Sequence, residues 1–197
     1  MKRWRLDFRI WHWIHALVIL GLFATVFLRK TFLSWRANSE LLTQKLAEID
    51  LSVTEAQAKV LAKAIRAPMW EWHILLGYAL AALVIWRIAL FFTQSGSVNF
   101  KHFKVKNLHK KMVMLSYIAI YVLLLFMTIS GLTIHFHEAL GLSKSLAGDI
   151  KDIHEFVFFN GLLILVPLHV VGVIVADTRD EHGLISNMVH GKGKNLL

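Results

Sequence analysis

Four imidazoles stand at the ends of long apolar runs in this 197-residue chain. His12 opens the first run, His73 the second, and His154 and His169 lie fifteen residues apart along the fourth. An ionisable side chain inside a membrane-spanning segment is costly and normally faces the protein interior with a partner. Imidazole can carry a proton or bind a metal, and rings at matched ends of separate segments favour the metal. The chain has no cysteine, which excludes disulfides, thiolate-bound zinc, iron–sulfur clusters and covalent attachment through Cys-x-x-Cys-His. A metal centre here must draw on His, carboxylate or Met.

The elements that position these rings follow from composition. Hydrophobic residues make up 56% of the chain, more than an ordinary soluble domain carries. Apolar runs at residues 10–28, 70–92, 112–134 and 156–176 each match the roughly 20 residues that a helix needs to cross a bilayer. The expected fold is all-α: an integral membrane four-helix bundle, one domain over residues 1–197, with a helical periplasmic insertion at 29–69 between spans one and two. The first run follows a basic Met1-Lys2-Arg3-Trp4-Arg5 start but offers no small-x-small cleavage site between Phe23 and Lys30, so it reads as a retained helix. Within the insertion, Leu41, Leu42, Leu46 and Ile49 share one face of a helix over 40–49. A capping box Ser52-x-x-Glu55 starts a second helix through Val60, Leu61 and Ile65, which Pro68 ends. The pair is expected to form a helical hairpin that either lies against the membrane surface or a partner, or is a passive connector stabilised by its own hydrophobic face.

The net charge of +9 does not point to nucleic acid, because the basic residues flank apolar runs instead of alternating with aromatics in a patch. Lys2, Arg3, Arg5 and Arg9, then Lys101, Lys104, Lys106, Lys110 and Lys111, then Arg179, Lys192 and Lys194 fall on one side of the membrane. That side is expected to be cytoplasmic, with both termini on it, in a bacterial inner membrane. The opposite side holds a short turn at 137–153 and the 29–69 insertion, whose basic residues are diluted by acids. Trp4, Trp11 and Trp13 at one end and Trp35, Trp70 and Trp72 at the other suit interfacial aromatic belts.

On this topology His12 and His169 lie at the cytoplasmic face and His73 and His154 at the periplasmic face. Fifteen helical residues separate His154 from His169 by about 22 Å, too far to share one metal, while fifteen steps of about 100° return the second ring to within roughly 60° of the first. Gly161 and Pro167 lie between them and can adjust the helix. Zinc and copper sites gather three or four donors, whereas each membrane depth here offers two imidazoles on separate helices. Two axial imidazoles suit a haem iron; they saturate it, which favours electron transfer over oxygen activation. Gly77, one turn after His73, and Gly131, late in the third run, are gaps for a porphyrin face or plain helix-packing contacts.

The segments Arg9-Ile10-Trp11-His12-Trp13, Trp72-His73-x-x-x-Gly77 with Arg87 beyond it, Ser130-Gly131-Leu132 and Leu168-His169 carry a likeness. So does the tail Asp177-x-x-Asp180-x-x-x-Leu184-Ile185-Ser186-x-Met188-Val189-x-Gly191. Through them the chain resembles, over nearly its whole length, the bacterial cytochrome b561 and nickel–iron hydrogenase b-type cytochrome family. The resemblance implies a four-helix membrane anchor with two non-covalent b haems that exchanges electrons with quinone. Its axial ligands fall on His12 and His169 for the cytoplasmic haem and on His73 and His154 for the periplasmic one. The chain departs from the family pattern in the spacing of the last two histidines, one residue longer here, and in the long 29–69 segment.

Other residues have weaker claims. His15, one turn after His12, is an alternative ligand to it, and His135 and His137 are reserves for His154. His102, His182 and His190 read as solvated loop residues. Arg87 is placed either to snorkel or to pair with a propionate of the cytoplasmic haem. Asn107, His109 and Lys110, with Asp177 at the start of the tail, are the nearest donors for a quinone pocket, although His109 also reads as a plain interfacial histidine. The expected function is electron transfer between a periplasmic or membrane redox partner (a hydrogenase, a dehydrogenase or a c-type cytochrome) and the quinone pool of a respiratory chain. Two alternatives stand beside it: a stand-alone superoxide:quinone oxidoreductase, which the mixed charge of Lys144, Lys151, Asp149, Asp152, Glu138 and Glu155 disfavours, and a haem-free metal transporter or assembly factor.

Overall fold

The structure is a computed structural model; it describes residues 4–92, 108–179 and 182–191, the side chains of Phe91 and residues 108–110 excepted. Helices account for nearly all of it: α1 (Leu6–Lys30), α2 (Trp35–Ala47), α3 (Glu55–Phe92), α4 (Leu108–His135), α5 (Lys144–Val157), a π turn (Phe158–Leu162), α6 (Leu163–Arg179) and α7 (Leu184–His190). No strand occurs among the described residues. Four stretches are long and apolar enough to cross a membrane: Leu6–Lys30, Glu55–Leu90, Lys111–His135 and Lys144–Arg179. Hydrocarbon offers no partner to a backbone N–H or C=O, so such runs must close their hydrogen bonds internally as helices. The architecture is that of an all-α membrane bundle. The chain divides into two compact units, residues 15–80 and residues 1–14 with 81–197.

In the unit of residues 15–80, the insertion is helical but differs in detail from the pattern expected. α2 begins at Trp35, five residues before the apolar periodicity suggests. It stops where Asp50 takes a left-handed φ of 56° and the Leu51 N–H reaches back to the Leu46 carbonyl at 2.9 Å, a polar residue serving where glycine is commonest. The capping box forms two residues later than Ser52-x-x-Glu55. Thr54 Oγ1 accepts from the Gln57 N–H at 3.3 Å, and Gln57 Oε1 accepts from the Thr54 N–H at 2.8 Å, the reciprocal pair that satisfies two orphan donors. Pro68 does not end the helix: α3 runs through it as one 38-residue element. Buried Ala58, Ala62, Met69 and Leu80 lie within about 40° of one another around a helix, so one packed face continues across the proline and holds the helical backbone on both sides. Lys59 stacks on the Trp35 ring at 4.7 Å and so ties α2 to α3.

In the other unit, Trp11 is almost wholly buried and donates its indole N–H to the Leu83 carbonyl at 2.7 Å, which pins the start of α1 against α3. The turn expected at 137–153 is shorter. Gly141 takes a φ of 68°, and Ser143 then caps α5 by accepting from the Leu146 N–H at 3.2 Å. α5 therefore starts at Lys144, and His154 sits in its last turn instead of opening a span. α7 is bracketed by Gly183 and Gly191, both left-handed.

Candidate functional site

His12 and His169 come together from α1 and α6. Their ring centres are 6.4 Å apart with planes at 62°, and the Tyr117 ring of α4 meets His169 edge-on at 5.7 Å. Two imidazoles bound through nitrogen on opposite sides of one metal at about 2 Å have ring centres roughly 6 Å apart. The observed spacing therefore fits a pair of axial ligands. Both rings are half-buried. Among the described residues no three His, Asp or Glu side chains converge as a bare-ion site would need.

His73 and His154 are each fixed by a hydroxyl on a neighbouring helix. In α3, His73 Nδ1 lies 2.7 Å from Thr25 Oγ1 of α1; in α5, His154 Nδ1 lies 2.7 Å from Ser130 Oγ of α4. Thr25 Oγ1 also lies 2.6 Å from the Leu22 carbonyl and Ser130 Oγ 2.7 Å from the Phe126 carbonyl. A hydroxyl has one proton. Were it given to the ring, two acceptor oxygens would face each other at that distance with no proton between them. The hydroxyl therefore donates to the carbonyl, and Nδ1–H of the ring donates to the hydroxyl. Each imidazole is the Nδ1–H tautomer with its lone pair on Nε2, the state a metal ligand needs. Gly131 completes the seat of His154, since a Cβ there would touch Cε1 of the ring at 3.4 Å. Neither Thr25 nor Ser130 was expected to hold a ligand; the available signal is a hydroxyl residue late in an otherwise apolar run.

The two histidines of the last span are linked by helix that changes pitch. Over Phe158–Leu162 the Leu163 N–H bonds to the Phe158 carbonyl, five residues back, and Asn160 Nδ2 donates to the Phe156 carbonyl at 2.9 Å. A π turn of this kind takes up one extra residue. Fifteen residues then turn like fourteen, leaving His154 and His169 within about 40° of each other instead of about 60°. The adjustment falls around Gly161, where a Cβ would meet Leu123 of α4 at 3.0 Å.

Arg87 sits inside an aromatic cage. Its guanidinium carbon is 5.3 Å from the Phe8 ring, 5.5 Å from Trp11 and 5.2 Å from Tyr121, and its Nε donates to the Tyr121 hydroxyl at 3.1 Å. Cation–π contact with three rings offsets part of the cost of holding this charge among apolar helices. Arg29 stacks over Trp70 at 5.3 Å, and Trp70 in turn meets the His73 ring edge-on at 5.6 Å. Around Gly77 an added Cβ would meet nothing within 4 Å. His15 is buried. His137 Nδ1 donates to the Ile134 carbonyl at 2.9 Å, a local bond within its own turn, and His135 packs edge-on against Phe136 at 4.7 Å. Asn107 and the side chains of His109 and Lys110 lie outside the described residues.

The tail folds back on the start of α1. Arg9 Nε donates to the Met188 carbonyl at 3.0 Å and its Nη2 to that of Val189, while Trp13 Nε1 donates to Met188 at 3.2 Å. These donors serve carbonyls at the C-terminal end of α7 that have no partner within the helix. Asp177 Oδ1 accepts from the Ile185 N–H at 3.0 Å near the other end. Two segments that carried the family likeness, the Arg9 motif and the tail through Gly191, are thus one packed structure. The family model for prokaryotic cytochrome b561 matches residues 3–191. No curated protein and no solved structure matches the chain.

Proposed function

The chain belongs to the prokaryotic cytochrome b561 family and so is a multi-pass b-type membrane cytochrome of electron transfer, and we propose that it is a di-haem conduit between a redox partner and the quinone pool. His12 and His169 are the axial ligands of one haem, at the cytoplasmic face; His73 and His154 are those of the second, at the periplasmic face. Haem held by these histidines would supply one-electron chemistry. The protein's part is to hold neutral imidazoles at set azimuths, to keep them in apolar surroundings, and to exclude water by lipid-facing Leu, Ile, Val and Phe. The observation that carries the reading is the 6.4 Å separation of the His12 and His169 rings on two different helices.

Electrons enter from a hydrogenase, a dehydrogenase or a c-type cytochrome on the periplasmic side, where the 29–69 insertion provides the docking surface. Both termini face the cytoplasm of a bacterial inner membrane. Quinone would bind near the cytoplasmic haem, with Asn107, His109, Lys110 and Asp177 as its polar neighbours; Arg87 would pair with a propionate of that haem, and Gly77 and Gly131 would leave room for porphyrin faces. A reduced-minus-oxidised spectrum with haem quantification on the purified chain tests this reading. Two non-covalent b haems are expected; His12→Ala and His169→Ala each remove one of them, and His73→Ala and His154→Ala each remove the other. Absence of haem would overturn the assignment, and loss of the same haem from His12→Ala and His73→Ala would overturn the pairing.

A further inference from the structure

Both hydroxyls described above, Thr25 on His73 and Ser130 on His154, are almost fully buried, and each receives a ring N–H at 2.7 Å. Each in turn is fixed by donating to a carbonyl of its own helix at 2.6 or 2.7 Å. Neither can rotate away without leaving two acceptors in contact. The acceptor that each imidazole sees is therefore oriented and permanent. The rings of His12 and His169 differ: among the described residues no hydroxyl bonds to either, and their close neighbours are each other, Trp13 and Tyr117.

We propose that Thr25 and Ser130 are positioning residues that lower the reduction potential of the haem held by His73 and His154 relative to the haem held by His12 and His169. The proposal rests on the ligand assignment above. A ring N–H engaged by a fixed acceptor shifts electron density toward the opposite nitrogen, making the imidazole a stronger donor. A stronger axial donor stabilises ferric over ferrous iron, so the potential falls. The hydroxyl works only through the ring and touches no haem atom. The same accounting sets the rotation of each imidazole about its ligand bond, because Nδ1 has one direction in which to donate. Separately on two helices, the chain uses the same device: a Ser or Thr that satisfies its own backbone and accepts from the histidine.

The test is a redox titration of the purified two-haem protein and of Thr25→Val, Ser130→Ala and their double variant, monitored by absorbance and by the g-values of the ferric state. Removal of one acceptor is expected to favour reduction of the haem that His73→Ala eliminates by roughly tenfold, which is about 59 mV for one electron. The double variant shifts it further, and the other haem keeps its potential. Thr25→Ser and Ser130→Thr, which retain the hydroxyl, titrate like the parent. Should Thr25→Val shed that haem while Thr25→Ser keeps it, the hydroxyl's hold on the ring is confirmed by a second readout. Unchanged potentials at full haem content, or equal shifts at both haems, would overturn the proposal. A parent protein lacking two haems would instead overturn the ligand assignment, which separates the two failures.

Discussion

Deletion of Asn160 should leave both haems in place, whereas insertion of one alanine between Leu163 and Ile164 should cost one. The π turn Phe158–Leu162 holds one residue more than an α-helix needs, so removing Asn160 lets the segment close as regular α-helix. Fourteen steps of about 100° then set His154 and His169 within about 40° of each other, the angle they have now, at nearly unchanged separation along the axis. The deletion forfeits the Asn160–Phe156 hydrogen bond, worth about 0.5–1.5 kcal/mol, and regains an i→i−4 bond in exchange. The insertion adds a residue where the helix has no further turn to absorb it. It rotates His169 by about 100°, and for a ring about 5 Å from the axis this is a sideways movement of about 8 Å. That exceeds the whole 6.4 Å spacing of the His12 and His169 rings. The assay is haem per polypeptide by pyridine haemochrome, with the difference spectrum identifying which haem is absent. If the deletion lost the His169 haem and the insertion kept it, the account of the π turn as the device that sets ligand azimuth would be refuted.

Three further outcomes follow from local geometry. Gly191→Ala puts a Cβ into the Arg9 guanidinium at a residue with φ of 70°; the backbone cost alone is about 1–2 kcal/mol, and limited proteolysis should show faster cleavage between α6 and α7. Ser143→Ala removes the cap of α5 and should lower stability by about 1 kcal/mol, read as a fall in the thermal midpoint in detergent with haem content unchanged. Trp11→Phe keeps an aromatic wall beside Arg87 but deletes the buried bond to Leu83. The Leu83 carbonyl keeps its helical donor within α3, so the cost is that of one hydrogen bond, about 0.5–1.5 kcal/mol; it should appear as a lower midpoint, and an unchanged midpoint would show that this bond is dispensable.

Much of the fold could be read from local pattern, and the parts that could not were set by non-local contacts. Four apolar runs of about 20 residues identify four spanning helices because bilayer thickness is a one-dimensional constraint. The four histidines stand out by type beside those runs, but their place along the helices does not: His73 lies well inside α3 and His154 in the last turn of α5. Thr25 and Ser130 are different. Thr25 is a small residue in an apolar run and Ser130 stood out only as part of the Ser130-Gly131-Leu132 segment; the role of each exists only where another helix brings a ring to it. Helix boundaries followed the same division. Ser52-x-x-Glu55 and Thr54-x-x-Gln57 both carry capping-box residue types, and only the second forms the reciprocal hydrogen bonds. Pro68 reads as a terminator because sequence records the missing N–H but not the packed face that carries the helix past it. The π turn left a trace only in spacing, one residue too many between two histidines.

The length of α3 has a mechanical meaning. Thirty-eight residues make a rod about 57 Å long, against a hydrocarbon core of about 30 Å, so a large part of the helix that bears His73 lies beyond the lipid. Pro68 interrupts its hydrogen-bond ladder five residues before that histidine, leaving the Ala64 carbonyl without its helical donor. The rod therefore has its joint beside its working end. Past that joint the helix is held at once: Met69 is buried, Trp70 lies under the Arg29 guanidinium at 5.3 Å, and Thr25 holds the His73 ring at 2.7 Å. Three holds within five residues of the joint thus stand between a bend of the outer stretch and the tilt of the imidazole.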